Sequence, residues 1–175
     1  TALLQPDPAA WQRSLAWLAE PGHHLLGWQD PDYPPLLRQA PNPPLALFID
    51  GDPSLLWHPA LAIVGSRAAT AGGCCNARAF AEGFVDAGFA VASGMAAGID
   101  AAAHEAALAR GGITVAVLGN GPDIAYPRQH ALLRDRIPAA APAVSAHPPG
   151  TTPRAGPFPA RNRIPARLVS GTPVV

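Results

Sequence analysis

Residues 158–168 read FPARNRIPARL. Three arginines, Arg161, Arg163 and Arg167, fall within seven residues, opened by the Phe158 ring and interrupted by prolines. Two readings fit. One is a solvated helix face. The other is a clamp for phosphate and base, because a guanidinium forks onto phosphate and its plane stacks on a base. Arg67, which directly follows Gly65-Ser66 and an apolar run, is a second candidate for an anion contact. Its alternative is an ion pair with Asp100.

The charge distribution bears on that choice. The 175 residues have a formal net charge of zero, yet they are not evenly charged. Residues 1–60 sum to −4, residues 61–125 to −2, and residues 126–175, with seven arginines against Asp135, to +6. A polyanion is drawn to the last of these. The basic residues are all arginine, with no lysine, as the composition bias towards proline and alanine also produces. At 49% hydrophobic and 14% charged, the chain has enough apolar residues for a core and too many for disorder. No apolar run approaches the roughly 20 residues that cross a bilayer. The N-terminus lacks the basic-then-apolar pattern of a signal peptide, and a cytoplasmic protein is expected. Cys74 and Cys75 are adjacent, which suits neither a staple nor a zinc site; they are expected as small buried side chains near a helix start. The single Met is Met95 and the chain stops on TPVV, which reads as a fragment.

These residues need elements to place them. Residues 1–44 read as a helical remnant, with Trp11, Leu15 and Leu18 on one face, followed by a proline-rich extended connector. Residues 45–175 read as one α/β domain. Short apolar runs at 45–50, 60–65, 89–93, 113–119, 142–145 and 172–175 predict strands. Stretches 75–88, with Ala79, Phe80, Phe84 and Ala87 at helical spacing, 100–112 and 127–137 predict helices between them. Asp100 is read as the cap of the second helix and His104 as a core residue. Apolar strands alternating with helices predict a mostly parallel sheet covered on both faces, of extended Rossmann-like type.

In such sheets ligands sit outside the carboxyl ends of the strands. Three loops are placed there: GSRAATAGG (65–73), SGMAAGID (93–100) and GNGPDIAYP (119–127). Glycines and unpaired amides at helix starts favour an anion. Gly65, Ser66, Ser93, Gly94, Gly119 and Gly121 are therefore candidate contacts with Arg67. The alternative for each loop is a tight structural turn. GNGPDI lacks a third glycine, which argues against a dinucleotide cofactor, and no phosphate loop with Lys is present. No nucleophile elbow, carboxylate pair or third metal ligand is signalled, so no cofactor, metal or catalytic residue is expected.

Five segments in order resemble the DprA/Smf family of DNA-processing proteins of bacterial transformation: YPPLLRQAPNPPLALFIDGD, AIVGSR, SGMAAGIDAAAHEAAL, TVAVLGNGPDIAYP and FPARNRI. The match runs from about Tyr33 to Ile164. The resemblance implies an extended Rossmann-like domain that binds single-stranded DNA without strong sequence preference. It implies a homodimer that places the recombinase RecA on DNA, and no catalysis. It also implies an electropositive pocket built from Arg67, Phe158, Arg161, Asn162 and Arg163. In that reading Phe158 supplies a stacking face, worth roughly 1–3 kcal/mol per base. Arg161 and Arg163 take phosphates, and Asn162 takes a base edge or backbone group. The structural alternative has Phe158 in the core and Asn162 capping a turn.

The chain departs from the family pattern in three places. Pro165, Ala166 and Arg167 stand where an aliphatic residue and Ala-Gly are usual. Ala146 follows Ser145 where Glu is common. Pro173 falls in an expected central strand, which favours a first or edge position for it. A competing enzyme reading, a nucleotide phosphoribohydrolase, needs a Pro-Gly-Gly-x-Gly-Thr loop; the chain offers PPGTTP at 148–153. A third reading has the arginines facing a protein partner.

Overall fold

The computed structural model describes residues 7–125, 142–153, 168–169 and 171–175. Helix α1 spans Pro8–Leu18, strand β1 His23–Gly27, helix α2 Pro35–Arg38 and strand β2 Ala46–Asp50. A 3-10 turn, Pro53–Trp57, leads into β3, Ala60–Ala62. Then come α3 (Ala71–Asp86), β4 (Ala90–Ser93), α4 (Ile99–Ala109), β5 (Thr114–Leu118) and β6 (Ala143–Ser145). The six strands form one sheet in the order β1-β2-β6-β5-β4-β3. Strands β3 to β6 are parallel, while β1-β2 and β2-β6 are antiparallel, so the α/β sheet is mixed.

Strands β4, β5 and β6 are buried at every position, as apolar strands covered on both faces must be. The antiparallel β2 instead alternates, with Leu47 and Ile49 inward. Because β3, β4 and β5 step steadily in one direction, right-handed crossovers put α3 and α4 on the same face. There Ala77 and Ala81 of α3 meet Ala102, Ala103, Ala106 and Ala107 of α4, together with Ile63 and Val91. Small side chains let the two helices pack closely. The other face is covered by Tyr33, Leu37, Leu56, Leu168 and Val169, packed on Ala62, Ala92, Val115, Val117 and Val144.

Several local expectations are corrected. β1 lies in the stretch read as remnant and connector, and it pairs with β2 along its whole length. Helix α1 is present, but Trp11 and Leu15 are exposed and Trp17 is its buried residue. The Trp17 ring stacks on His23 at 3.9 Å and meets Phe48 edge-on, so the last turn of α1, rather than the 11/15/18 stripe, holds it to the sheet. In α3 the buried positions are Ala77 and Ala81; Phe80 is exposed, as is Cys75. The helix expected over 127–137 lies outside the described residues.

Residues 171–175 flank β3 on its free side through two parallel bridges, Leu61 to Gly171 and Val64 to Val174. Ala62 donates its amide to Gly171 O at 3.0 Å, Val64 to Pro173 O at 3.4 Å, and Val175 back to Val64 O at 3.0 Å. The rung that a residue at 173 would donate towards β3 is missing because proline has no N–H. The segment therefore forms two bridges in place of a continuous strand.

Tyr33 shows how the N-terminal connector is tied in. It is fully buried and its hydroxyl donates to the Pro44 carbonyl at 2.8 Å. Burial pushes its phenol up to about 12, against a smaller opposing pull from Arg38. The folded state thus holds the phenolic proton more tightly than the unfolded chain does. Its contribution is complete below about pH 10 and is lost as pH rises through about 12. Urea denaturation of the wild type should show stability falling over this window. In Tyr33→Phe that alkaline loss should shrink, with a cost of about 1 kcal/mol at neutral pH from the lost hydrogen bond.

Candidate nucleic-acid interface

The parallel strands run β6, β5, β4, β3 and then the 171–175 segment. Chain order therefore reverses between β3 and that segment. In open α/β sheets the crevice at such a reversal, outside the carboxyl ends, is where ligands bind. The loop that leaves β3 at this point carries Gly65, Ser66 and Arg67. Ser66 and Arg67 are exposed and Gly65 is half-buried.

Close backbone approach builds this corner. A Cβ on Gly65 would meet Val175 O at 2.2 Å and Ile99 Cγ1 at 2.6 Å. Gly98, at φ +78°, abuts the carbonyl oxygens of Ser66 and Arg67, at 2.3 and 2.8 Å from a hypothetical Cβ. The Ile99 amide donates to Ser66 O at 3.2 Å. The loop after β3 is thus fastened to the start of α4. Ser66 Oγ accepts the Ala68 amide at 3.2 Å, and Thr70 caps α3 by accepting from the Gly73 amide at 3.0 Å. Ala71 and Gly72, exposed in the first turn of α3, carry amides that have no acceptor within the helix. Arg67 and the positive end of a 16-residue helix lie on one short loop, an arrangement that attracts an anion.

The loop after β4 contributes differently from the sequence reading. Ser93 and Gly94 are buried. The Ser93 hydroxyl donates to the Ile63 carbonyl at 2.6 Å, tying β4 to the end of β3. Asp100 is not the cap: Gly98 occupies that position, and Asp100 is the second residue of α4. Its buried carboxylate accepts the Ala96 amide at 3.2 Å, a bond that closes the loop on the helix start. The next residue of that loop after Gly94, Met95, is buried with φ +62°, a left-handed conformation that the packing around it must sustain. His104 is a core residue, as read; its Nδ1 lies 2.7 Å from Thr114 Oγ1.

The loops after β5 and β6 are joined to each other. Gly119 is half-buried and Gly121 buried. The Gly121 amide donates to Thr151 O at 2.8 Å, and the Asp123 carboxylate accepts the Gly150 amide at 2.8 and 2.9 Å. Asn120 Nδ2 donates to the carbonyls of Gly121 and Ile124, while Ser145 Oγ donates to Asn120 O at 2.7 Å. Ala146, one of the departures from the family pattern, is half-buried against the core. PPGTTP is the outer half of this junction. A Cβ on Gly121 would lie 2.6 Å from Asp123 Oδ1 and 2.7 Å from Pro148 O. Gly121→Ala should therefore cost about 1–3 kcal/mol, seen as a lower urea midpoint with an unchanged slope.

Arg67 and Ser66 are thus the exposed candidates, Gly65 and Gly119 are half-buried, and Ser93, Gly94 and Gly121 are buried. Phe158, Arg161, Asn162 and Arg163 lie outside the described residues, as do Pro165, Ala166 and Arg167. Gly98 was missed as a positioning residue. Its signal, a glycine just ahead of an Asp-led helix, reads as loop until the Ser66 carbonyl is seen against it. Among the described residues no cluster of three or more His, Cys, Asp or Glu is placed to hold a metal, and no helix is long and apolar enough to cross a membrane.

The family model for DNA recombination-mediator protein A matches residues 24–175. The chain is 41% identical over 165 residues to protein Smf of Escherichia coli K12, covering 94% of this chain and 44% of that one. It is 41% identical over 142 residues to DNA processing protein DprA of Streptococcus pneumoniae, covering 81% and 50%. It spans about half or less of the length of these relatives. The crystal structure of DprA from S. pneumoniae superposes with a TM-score of 0.86 at 36% identity, covering 98% of this chain and 58% of that one. DNA processing protein A from Helicobacter pylori, in a structure described for its single-stranded DNA binding mode, gives 0.76 at 27% identity, covering 87% and 68%.

Proposed function

Because this chain belongs to the DNA recombination-mediator protein A family, whose members include DprA and Smf, we propose that it binds single-stranded DNA along the carboxyl edge of its sheet. The observation that carries this is the reversal of strand order at β3, with the exposed Arg67 on the loop that leaves the strand at that point. Arg67 and the first amides of α3 take backbone phosphates. Arg161 and Arg163 add phosphate contacts from the basic C-terminal third, Phe158 a stacking face, and Asn162 a hydrogen bond to base or backbone. The contacts are to backbone and ring faces, so sequence preference is weak. Binding, not bond-breaking, is the role. In the full-length cytoplasmic protein a homodimer protects incoming DNA and places RecA on it during transformation.

Fluorescence anisotropy tests this with labelled single- and double-stranded oligonucleotides at two salt concentrations. Single strands should bind with roughly micromolar affinity or better, and each phosphate contact should contribute about −0.7 to the slope of log K against log salt. Equal binding of duplex and single strand, or a slope near zero, contradicts the proposal. The dimer and RecA roles are read separately, from the sedimentation mass of the full-length protein and from the rate of RecA assembly on coated single strands.

A further inference from the structure

At the amino end of β3, on the sheet edge opposite Arg67, two hollows meet at one side chain. The first is mostly apolar, lined by Pro34, Leu36, Leu56, Pro59 and Leu168 together with Trp57. The second, which shares Trp57, is lined by Asp32, Asp52, Pro53 and Ser54. Trp57 is 52% exposed and Leu36 49% exposed. The indole is nevertheless fixed, because its Nε1–H donates to the Asp32 carbonyl at 3.1 Å. A rigid, half-exposed Trp between an apolar groove and a pair of carboxylates is the composition of a binding hot spot, with aromatic anchor and charged flank.

The two acids decide what fits. Among the described residues neither Asp32 nor Asp52 is ion-paired. Hydrogen bonds from Ser54, with help from His24, hold the Asp52 carboxyl below its ordinary range, so it is charged at neutral pH. Phosphate is repelled here, which excludes the DNA proposed for the other edge. Charge complementarity calls for a cation, and the adjoining groove calls for an apolar side chain. We propose that the Trp57 cleft is a docking surface for a partner protein segment in which a bulky apolar residue stands beside Arg or Lys. The apolar residue enters the Pro34–Leu36–Leu168 groove, and the cation lies against the Trp57 ring between the Asp32 and Asp52 carboxylates. This is independent of the DNA reading and uses none of its residues.

The test is an NMR titration of the full chain with the peptide Ac-Gly-Arg-Leu-Arg-Gly-NH2, following the indole N–H signals of the four tryptophans. Trp57 is assigned through Trp57→Phe. The peptide should shift the Trp57 signal and amides near residues 32, 36 and 52–58, and leave Arg67 unmoved. The double variant Asp32→Asn with Asp52→Asn should bind it at least tenfold more weakly. It should stay folded, because Asn at 52 can still cap the 3-10 turn and the Asp32 contact to Trp57 is made by backbone. The Arg-to-Glu and Leu-to-Ser versions of the peptide should each fail. No shift at millimolar peptide, or equal affinity for the Glu version, overturns the proposal. A Trp57 shift that grows with protein concentration in the absence of peptide also overturns it, by assigning the cleft to a second copy of this chain.

Discussion

Replacing Gly98 with alanine should destabilise the protein by about 3 kcal/mol and abolish binding of single-stranded DNA. Two costs combine. At φ +78° and ψ −120° the residue sits in a backbone region open almost solely to glycine, where a side chain costs about 1–3 kcal/mol. The new Cβ would also stand 2.3 Å from the Ser66 carbonyl oxygen and 2.8 Å from that of Arg67. Both neighbours are backbone, so no rotamer change relieves the clash. The loop after β3 must instead part from the start of α4, breaking the Ile99 to Ser66 hydrogen bond. For a chain of this size each kcal/mol lowers Tm by about 2–4 °C, so calorimetry should show a drop of about 6–12 °C. Gly83→Ala is the matching control: it lies within α3 with open space around its Cβ, and a helix-interior alanine is favourable by up to about 1 kcal/mol. Equal stability of the two variants would show that the 66/98 contact does not hold the corner together.

The second large effect is expected at Arg67. Arg67→Ala should leave Tm within about 1 °C, since the side chain is exposed. It should weaken single-strand binding at least tenfold at low salt and lower the salt slope by about 0.7, the share of one phosphate. Arg163→Ala, from the basic C-terminal third, should do the same, and the double variant should lose both increments of slope. Arg67→Lys should recover most of the slope but less of the affinity, because an ammonium keeps the charge and loses the fork. Anisotropy across a salt series separates these outcomes. Unchanged affinity and slope in both single variants would remove the arginines from the interface.

How much of this was readable in the sequence differs element by element. Strands β3 to β6 were, because buried parallel strands are short apolar runs bounded by glycines, as in FAVAS and ITVAVLG. That Arg67 sits just past the carboxyl end of β3 was readable too, because a residue just beyond a parallel strand has one edge to occupy. β1 was not readable: HHLLG follows Pro-Gly, has an exposed histidine and leucine in it, and is an antiparallel edge strand paired on one side. Trp17 escaped a helical-wheel argument because α1 packs by its last turn. The cap of α4 was misassigned because Asp before an apolar helix is a normal cap, whereas the glycine is demanded by a carbonyl more than thirty residues away. The hydrogen bonds of Ser93 to Ile63 and of Gly121 to Thr151 were beyond local pattern for the same reason, and the sequence left contact and structural turn open at both. Local pattern carries which residues sit at an edge; long-range backbone contacts decide which of them face outward.

The proposed DNA site is defined by its location, the carboxyl edge of the sheet beside the reversal of strand order. An amide and indole NMR titration with an oligothymidine tests it directly. Shifts should centre on Ser66, Arg67, Ala68, Ala71 and Gly72, while Trp57 at the opposite edge stays in place. Shifts centred on Trp57 and the 3-10 turn before β3, with the 65–72 loop silent, would contradict it.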